Sequence, residues 1–320
     1  MSSWLVTGGA GYIGAHVVKA FRDRSEPVVV IDDLTTGEVE RVGAVPLVRG
    51  SVLDADLVAA TIRDHDVSGI IHIAAKKQVG ESVEQPLFYY RQNVVGTLTL
   101  LEAAIAAGVQ SFVFSSSSST YGMPDVDKVT EDVSFAPMSP YGESKVIGEW
   151  MSRAAAAASE LRVISLRYFN VAGAQSPELG DPGVFNLIPM ALRALTSGEA
   201  PQIFGDDYPT PDGTCIRDYV HVADVADAHA AALAHLAGGG GSATYNIGRG
   251  EGSSVREVLA MVADVTGIDT EPVVVPRRPG DPARIVATTD RIRADLGWRS
   301  RYDLREIVES AWEAWSSSSH

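Results

Sequence analysis

Short apolar runs, SWLV (3–6), PVVVID (27–32), VPLVRG (45–50), GIIHIAA (69–75), SFVFSS (111–116) and RVISLRYF (162–169), dominate the first half of the chain. Most are continuous rather than alternating, the mark of parallel strands buried on both faces. Between them lie IGAHVVKAFRDR, LVAATIRDH, NVVGTLTLLEAAIAAG and GESKVIGEWMSRAAAAAS, with apolar residues at helical spacing. A strand needs a crossover to reach a parallel neighbour, so this alternation predicts an α/β fold with a doubly wound, Rossmann-like parallel sheet.

The pattern changes after Asn170. Residues 171–215 are rich in Gly, Pro and turn signals around one helix, NLIPMALRALTSG. RDYVHVADVADAHAAALAHL reads as strand and helix, GGGG (238–241) as an exposed turn, and TYNIG as a strand. A helix, the strand PVVVP, a proline-rich loop and a final helix follow. In that helix Leu304, Ile307, Val308, Ala311, Trp312 and Trp315 form one apolar stripe, read as core. The expected division is a cofactor domain over 1–173, with 217–247 returning to it, and a smaller α/β substrate domain over 174–216 and 248–320. The closing SSSSH is expected to be a disordered tail.

A formal charge of −15 argues against nucleic acid as a partner. Any anionic ligand needs local arginines or helix N-termini. Cys215 is the only cysteine, which excludes an intrachain disulfide, and no metal site is expected. No apolar run is long enough to span a bilayer and SSWLV is too short for a signal peptide, so a cytoplasmic enzyme is expected.

TGGAGYIG (7–14) follows the first strand and opens the first helix. Gly8, Gly11 and Gly14 allow a tight turn, close approach of a pyrophosphate and helix–sheet packing. The second strand ends in Asp32, where an acid can take adenosine ribose hydroxyls. Asp32 and Asp33 together would repel a 2′-phosphate, which favours NAD over NADP.

SPYGESK (139–145) places Tyr141 four residues before Lys145, on one helix face. Alone, the pair could be surface residues. A phenol beside an ammonium could also be a general base with its titration lowered by the nearby charge. The GxxGxxG spacing with Tyr-x-x-x-Lys resembles the short-chain dehydrogenase/reductase superfamily, and the chain length its extended branch. The resemblance implies Tyr141 as base, Lys145 as its cationic partner reaching the nicotinamide ribose, and a catalytic serine past the fifth strand. Within FSSSSSTYG, counting from Phe114 and back from Tyr121 gives Ser117, with Ser118 its nearest competitor.

The motifs TGGAGYIG, HIAAKKQVGESV, NVVGT, YGESK, LRYFNVAGA, FGDDYPTPDGTCIRDYVHV and PRRPGD together resemble the nucleotide-sugar epimerases of that branch over almost the full chain. The resemblance implies a cofactor set of Gly8, Gly11, Tyr12, Ile13, Gly14, Asp32, Ser51, Val52, Lys77, Asn93 and Tyr168, with Tyr141 and Lys145. It implies that Asn170 and Asn186 contact a UDP-sugar and that Arg217 and Arg278 clamp its diphosphate, as guanidinium forks suit phosphate oxygens. Asp281 would take the uridine ribose and Phe204 lie near the uracil. The implied reaction is reversible C4 epimerisation of a UDP-hexose through a 4-keto sugar, and the implied assembly a homodimer through helices at about 87–107 and 141–158. Their apolar residues Val95, Leu98, Leu101, Ile147, Trp150 and Met151 could equally serve the sheet.

Departures from the family leave openings. Ser51 stands where relatives often carry an acid near adenine. Ile285 is expected near the pocket for the sugar's 2-substituent, so N-acetylated or uronic nucleotide sugars remain alternatives. A 4,6-dehydratase would need an acid pair near the serine, and SSSSSTYG holds none. A non-catalytic NAD-binding protein would usually lack the Tyr or the Lys. His72 and His221 read as structural.

Overall fold

The computed structural model describes residues 2–278 and 280–317. The order begins β1 (Ser3–Thr7), α1 (Tyr12–Asp23), β2 (Val28–Asp32), β3 (Leu47–Arg49), α2 (Ala55–Asp64) and β4 (Val67–His72). Next come α3 (Val79–Glu84), α4 (Pro86–Tyr89), a π-helical stretch Tyr90–Val95, α5 (Gly96–Ala106), β5 (Ser111–Ser117), α6 (Pro140–Ala158) and β6 (Arg162–Tyr168). The chain continues with β7 (Asn170–Ala172), α7 (Leu187–Thr196), β8 (Gln202–Phe204), β9 (Ile216–His221), α8 (Val222–Ala237) and β10 (Ala243–Ile247). It closes with β11 (Gly252–Ser254), α9 (Val255–Thr266), β12 (Val273–Val275), β13 (Arg284–Ile285), α10 (Asp290–Leu296) and α11 (Leu304–Ser317).

Seven strands form one parallel sheet in the order β10-β6-β5-β4-β1-β2-β3. The fold is α/β and Rossmann-like. Strand order reverses between β1 and β4, and in such sheets the crevice beyond the strands' carboxyl ends is where ligands bind. On one face α1 and α8 bury Val17, Val18, Phe21, Val225 and Leu233 with Val6 and Val30. On the other, Val58, Ile62, Leu100, Leu101 and Ala104 pack over Leu5, Ile70 and Phe112.

Helix α6, which carries Tyr141 and Lys145, starts sharply for local reasons. Pro140 occupies its first turn, and Ser139 Oγ accepts from the Gly142 N–H at 3.2 Å. Beyond the main sheet, β9 pairs antiparallel with β11 and parallel with β13 and β7, while β8 pairs with β12. A third core joins α7, α9 and α11, and the Leu304–Trp315 stripe packs into it as its spacing predicts.

One expectation is corrected. Ser316 and Ser317 extend α11, with Ser316 Oγ donating to the Trp312 carbonyl at 2.8 Å, so they are not tail; the rest of SSSSH lies outside the described residues. Ile285, opposite Arg217 in the pairing of β13 with β9, packs with Tyr121, Val129, Phe169 and Ala287.

Candidate active site

A cleft of about 440 Å³ opens at the strand-order reversal. It runs from Gly8, Gly11 and Gly14 past Asp32 and Ser51 to Tyr141, Lys145 and Tyr168. Tyr12, Ile13, Val52 and Lys77 line it too. The glycine loop turns back at Gly8, with φ at +71°, and a Cβ there would meet the Ala74 backbone nitrogen at 2.7 Å. At Gly14 a Cβ would lie 2.0 Å from the Gly8 carbonyl oxygen. The N-terminus of α1 has no side-chain cap, although most helices recruit Ser, Thr, Asp or Asn there. Its free N–H groups and positive dipole end suit a pyrophosphate.

Asp32 accepts from Ala10 N at 2.9 Å on one carboxylate oxygen and from Leu34 N at 2.8 Å on the other. Burial pushes its carboxyl up while those two bonds pull it down, and each oxygen keeps a lone pair for a ribose hydroxyl. Ser51 Oγ accepts from Leu53 N at 3.2 Å. Uncapped helix, close-packed glycine loop and acid together fit an NAD molecule.

At the other end, the last residues of β5 face the start of α6. Ser117 pulls the Tyr141 phenol toward the phenolate, which sets Ser117 rather than Ser118 beside it, while Ser117 Oγ also lies 3.1 Å from Ser119 Oγ. Lys145 lies 5.9 Å from the Tyr141 ring centroid, and its ammonium donates to the Ser115 carbonyl at 2.8 Å. Burial lowers Lys145 to about 8. The expected lowering of Tyr141 is not what the protein alone produces: desolvation is the larger effect and raises the phenol.

Asn93 stands differently from the sequence reading, whereas His72 and His221 take the structural roles expected of them. Asn93, on the π-helical stretch, is buried with its amide bonded to both sides of the Lys76 peptide and to Ser144. It shapes the Lys76–Gln78 loop from behind. His72 bridges Thr7 and Thr97, and His221 caps α8 at Ala223 N and stacks on Tyr302.

Sequence reasoning missed a buried chain. His229 Nδ1 lies 2.8 Å from the Val225 carbonyl, which can only accept, so that nitrogen carries the hydrogen. Nε2 must then accept from Tyr168, 2.6 Å away, and Ser115 Oγ must donate to the Tyr168 oxygen at 2.7 Å. Ser115 therefore shows the cleft an acceptor.

The expected substrate residues gather apart from the cleft lining. Arg217 and Asp281 form an ion pair at 2.9 Å, and the Arg278 guanidinium lies 3.7 Å over the Phe204 ring. Asn170 is on β7, and Asn186 is exposed at the start of α7 without a capping bond.

Fold and cleft together define an enzyme of the Rossmann-like, nucleotide-cofactor class. The chain belongs to the NAD dependent epimerase/dehydratase family, whose model matches residues 4–248. The UDP-glucose 4-epimerase of Azospirillum brasilense is 50% identical over 317 residues, covering 97% of this chain and 91% of that protein. A crystal structure of UDP-glucose-4-epimerase from Stenotrophomonas maltophila, with bound NAD and formylated UDP-arabinopyranose, matches with a TM-score of 0.95 and 38% identity over 99% of this chain and 98% of that one. The UDP-Glc/GlcNAc 4-epimerase of Campylobacter jejuni matches with a TM-score of 0.88 and 37% identity, covering 99% of this chain and 100% of that one.

Proposed function

We propose that this enzyme interconverts UDP-galactose and UDP-glucose by inverting C4 through a transient 4-keto sugar, retaining NAD throughout. The observation that carries the reading is the convergence of Tyr141 and Lys145 on one cleft with the glycine loop and Asp32, with Ser117 acting on the Tyr141 phenol from the end of β5. Bound NAD⁺ supplies the acceptor, and later the donor, of the C4 hydride. Tyr141, as phenolate, takes the proton from the sugar 4-hydroxyl. Ser117 hydrogen-bonds the same oxygen, and Lys145 balances the phenolate charge. Arg217 and Arg278 exchange Asp281 and Phe204 for the diphosphate, leaving Asp281 for the ribose and Phe204 for the uracil. Asn170 and Asn186 hold the sugar side. With the binding energy in UDP, which does not react, the keto sugar can turn over without leaving.

Gly8, Gly11, Tyr12, Ile13, Gly14, Asp32, Ser51, Val52, Lys77 and Tyr168 bind NAD, and Asn93 acts through the Lys76 loop. The cofactor domain takes 1–173 and 217–247, the substrate domain the remainder, and the enzyme works in the cytoplasm. A homodimer is supported by one outward face: Val95, Leu98 and Trp150 are exposed, whereas Leu101 turns into the sheet. Sedimentation of a Leu98→Lys/Trp150→Lys variant as a monomer is the expected outcome.

The test is to incubate the purified protein with UDP-galactose, without added cofactor, beside a Tyr141→Phe control. Conversion lost in the control is expected. No conversion by the parent, despite bound NAD, overturns the glucose/galactose assignment and turns the search to N-acetylated or uronic nucleotide sugars.

A further inference from the structure

Tyr141, Lys145 and Glu149 follow one another at four-residue spacing along the inner face of α6. The first two belong to the reaction proposed above; the third has no part in it. Yet Glu149 is only 6% exposed, and its carboxylate is fully engaged. Arg167 of β6 grips it with both arms of its fork, Nε to Oε1 at 2.8 Å and Nη2 to Oε2 at 2.7 Å. Ser116 Oγ donates to Oε1 at 2.5 Å. Arg167 is held in turn: Nη1 donates to Tyr121 Oη at 2.7 Å and to the Glu131 carbonyl at 3.0 Å, and its plane lies between the Tyr121 and Phe135 rings.

Buried ion pairs of this kind rarely repay their desolvation, so stability alone is a poor reason for one here. Its location offers another. Ser116 sits between Ser115, whose carbonyl receives the Lys145 ammonium, and Ser117, which hydrogen-bonds Tyr141. Fixing Ser116 fixes both neighbours, because adjacent strand residues share one rigid backbone.

We infer that Glu149 is a positioning residue for the epimerisation: locked by Arg167, it pins the end of β5 through Ser116 and sets a carboxylate behind Lys145. The groups around Lys145 are Tyr141 and Glu149 on its own helix, Phe114 of β5, and His72 of β4. The Phe114 ring centroid lies 5.3 Å from Nζ, and burial and Lys145 keep His72 neutral. Of these, Glu149 raises Lys145 against the burial that lowers it. Arg167 lies beyond Glu149 and Tyr168 beside Tyr141.

The inference rests on the epimerase reading, and the experiment separates the two. If the parent fails to convert UDP-galactose, that reading fails; only if the parent is active do the variants bear on Glu149. Glu149→Gln leaves Arg167 buried without its partner, so the informative variant is Glu149→Gln/Arg167→Met, which removes both charges and places a flexible apolar chain between the two rings. It is expected to fold and retain NAD. Its kcat should fall at least about tenfold at unchanged KM, and the alkaline limb of its kcat–pH profile should move down by roughly one pH unit. Ser116→Ala removes the β5 anchor alone and should lower kcat several-fold, again at unchanged KM, with the alkaline limb in place. A folded double variant with the parent's kcat and pH profile overturns the inference. Should the double variant not fold, parent-like kcat in Ser116→Ala overturns it instead.

Discussion

Replacing Gly14 by alanine is expected to damage cofactor binding far more than folding. The new Cβ would stand 2.0 Å from the Gly8 carbonyl oxygen, 2.7 Å from the Gly9 Cα and 2.8 Å from the Gly8 carbonyl carbon. All three are backbone atoms, so no side-chain rotation relieves the clash, and the loop has to retreat by more than an ångström. Overpacking of this kind costs about 1–3 kcal/mol. Alanine returns up to about 1 kcal/mol of helix propensity. The net cost of about 0–2 kcal/mol lowers the melting temperature of NAD-free protein by only a few degrees. The same retreat takes loop N–H groups away from the pyrophosphate. Losing one or two charge-assisted hydrogen bonds, at about 1.5–3 kcal/mol each, weakens NAD by at least about tenfold. The assay pairs thermal unfolding of stripped protein with NAD titration by calorimetry. Gly11→Ala is the control, since its Cβ would meet only the Gly8 oxygen at 3.4 Å and its fold should be unaffected. A Gly14→Ala protein that purified with full NAD and bound it like the parent would refute the close approach of helix and loop.

Lys145→Met should abolish turnover yet stabilise the fold near neutral pH. Burial lowers Lys145 from 10.5 to about 8, so the unfolded chain binds the extra proton between those values and stability rises with pH there. Below pH 8 the parent carries a cost on the order of 3 kcal/mol that methionine lacks, and urea unfolding at pH 7 and 10 should show the variant's advantage shrinking. Asp218→Ala strands the Arg249, Gly250 and Ala287 N–H groups that its buried carboxylate accepts, and should cost at least about 3 kcal/mol in the same assay. Arg217→Gln should raise the KM for UDP-galactose at least about tenfold with kcat little changed, the pattern of lost uniform binding.

The main sheet was legible because most of its strands are continuous apolar runs set between helical periods, and the glycine loop because three glycines and an acid sit at fixed distances from them. The sheet around β9 was not: β7, β11 and β13 are two or three residues long and take their partners from distant loops. The packing of Ile285 was illegible for the same reason, since only its register on β9 sets its neighbours. Arg167 lies inside the apolar run RVISLRYF and His229 inside an alanine-rich helix, and neither run marks its role. What each does depends on which helix docks on which strand, which no local spacing encodes. Arg217, Arg278 and Asp281 were singled out only through resemblance, as loops carry no period.

The chain from Ser115 through Tyr168 to His229 also governs where protons can go. Its polarity is fixed, and with His229 pushed down to about 4 it stays fixed across the working range. It ends at the Val225 carbonyl, which has no proton to hand on. Where Ser115 and Tyr168 line the cleft, this branch is therefore an insulated wall rather than a conduit. On the proposed mechanism the proton lifted from the sugar would then stay on the Tyr141–Ser117 side, ready to return to the same oxygen, as suits an enzyme that ends each cycle with neither a proton nor an electron pair in surplus.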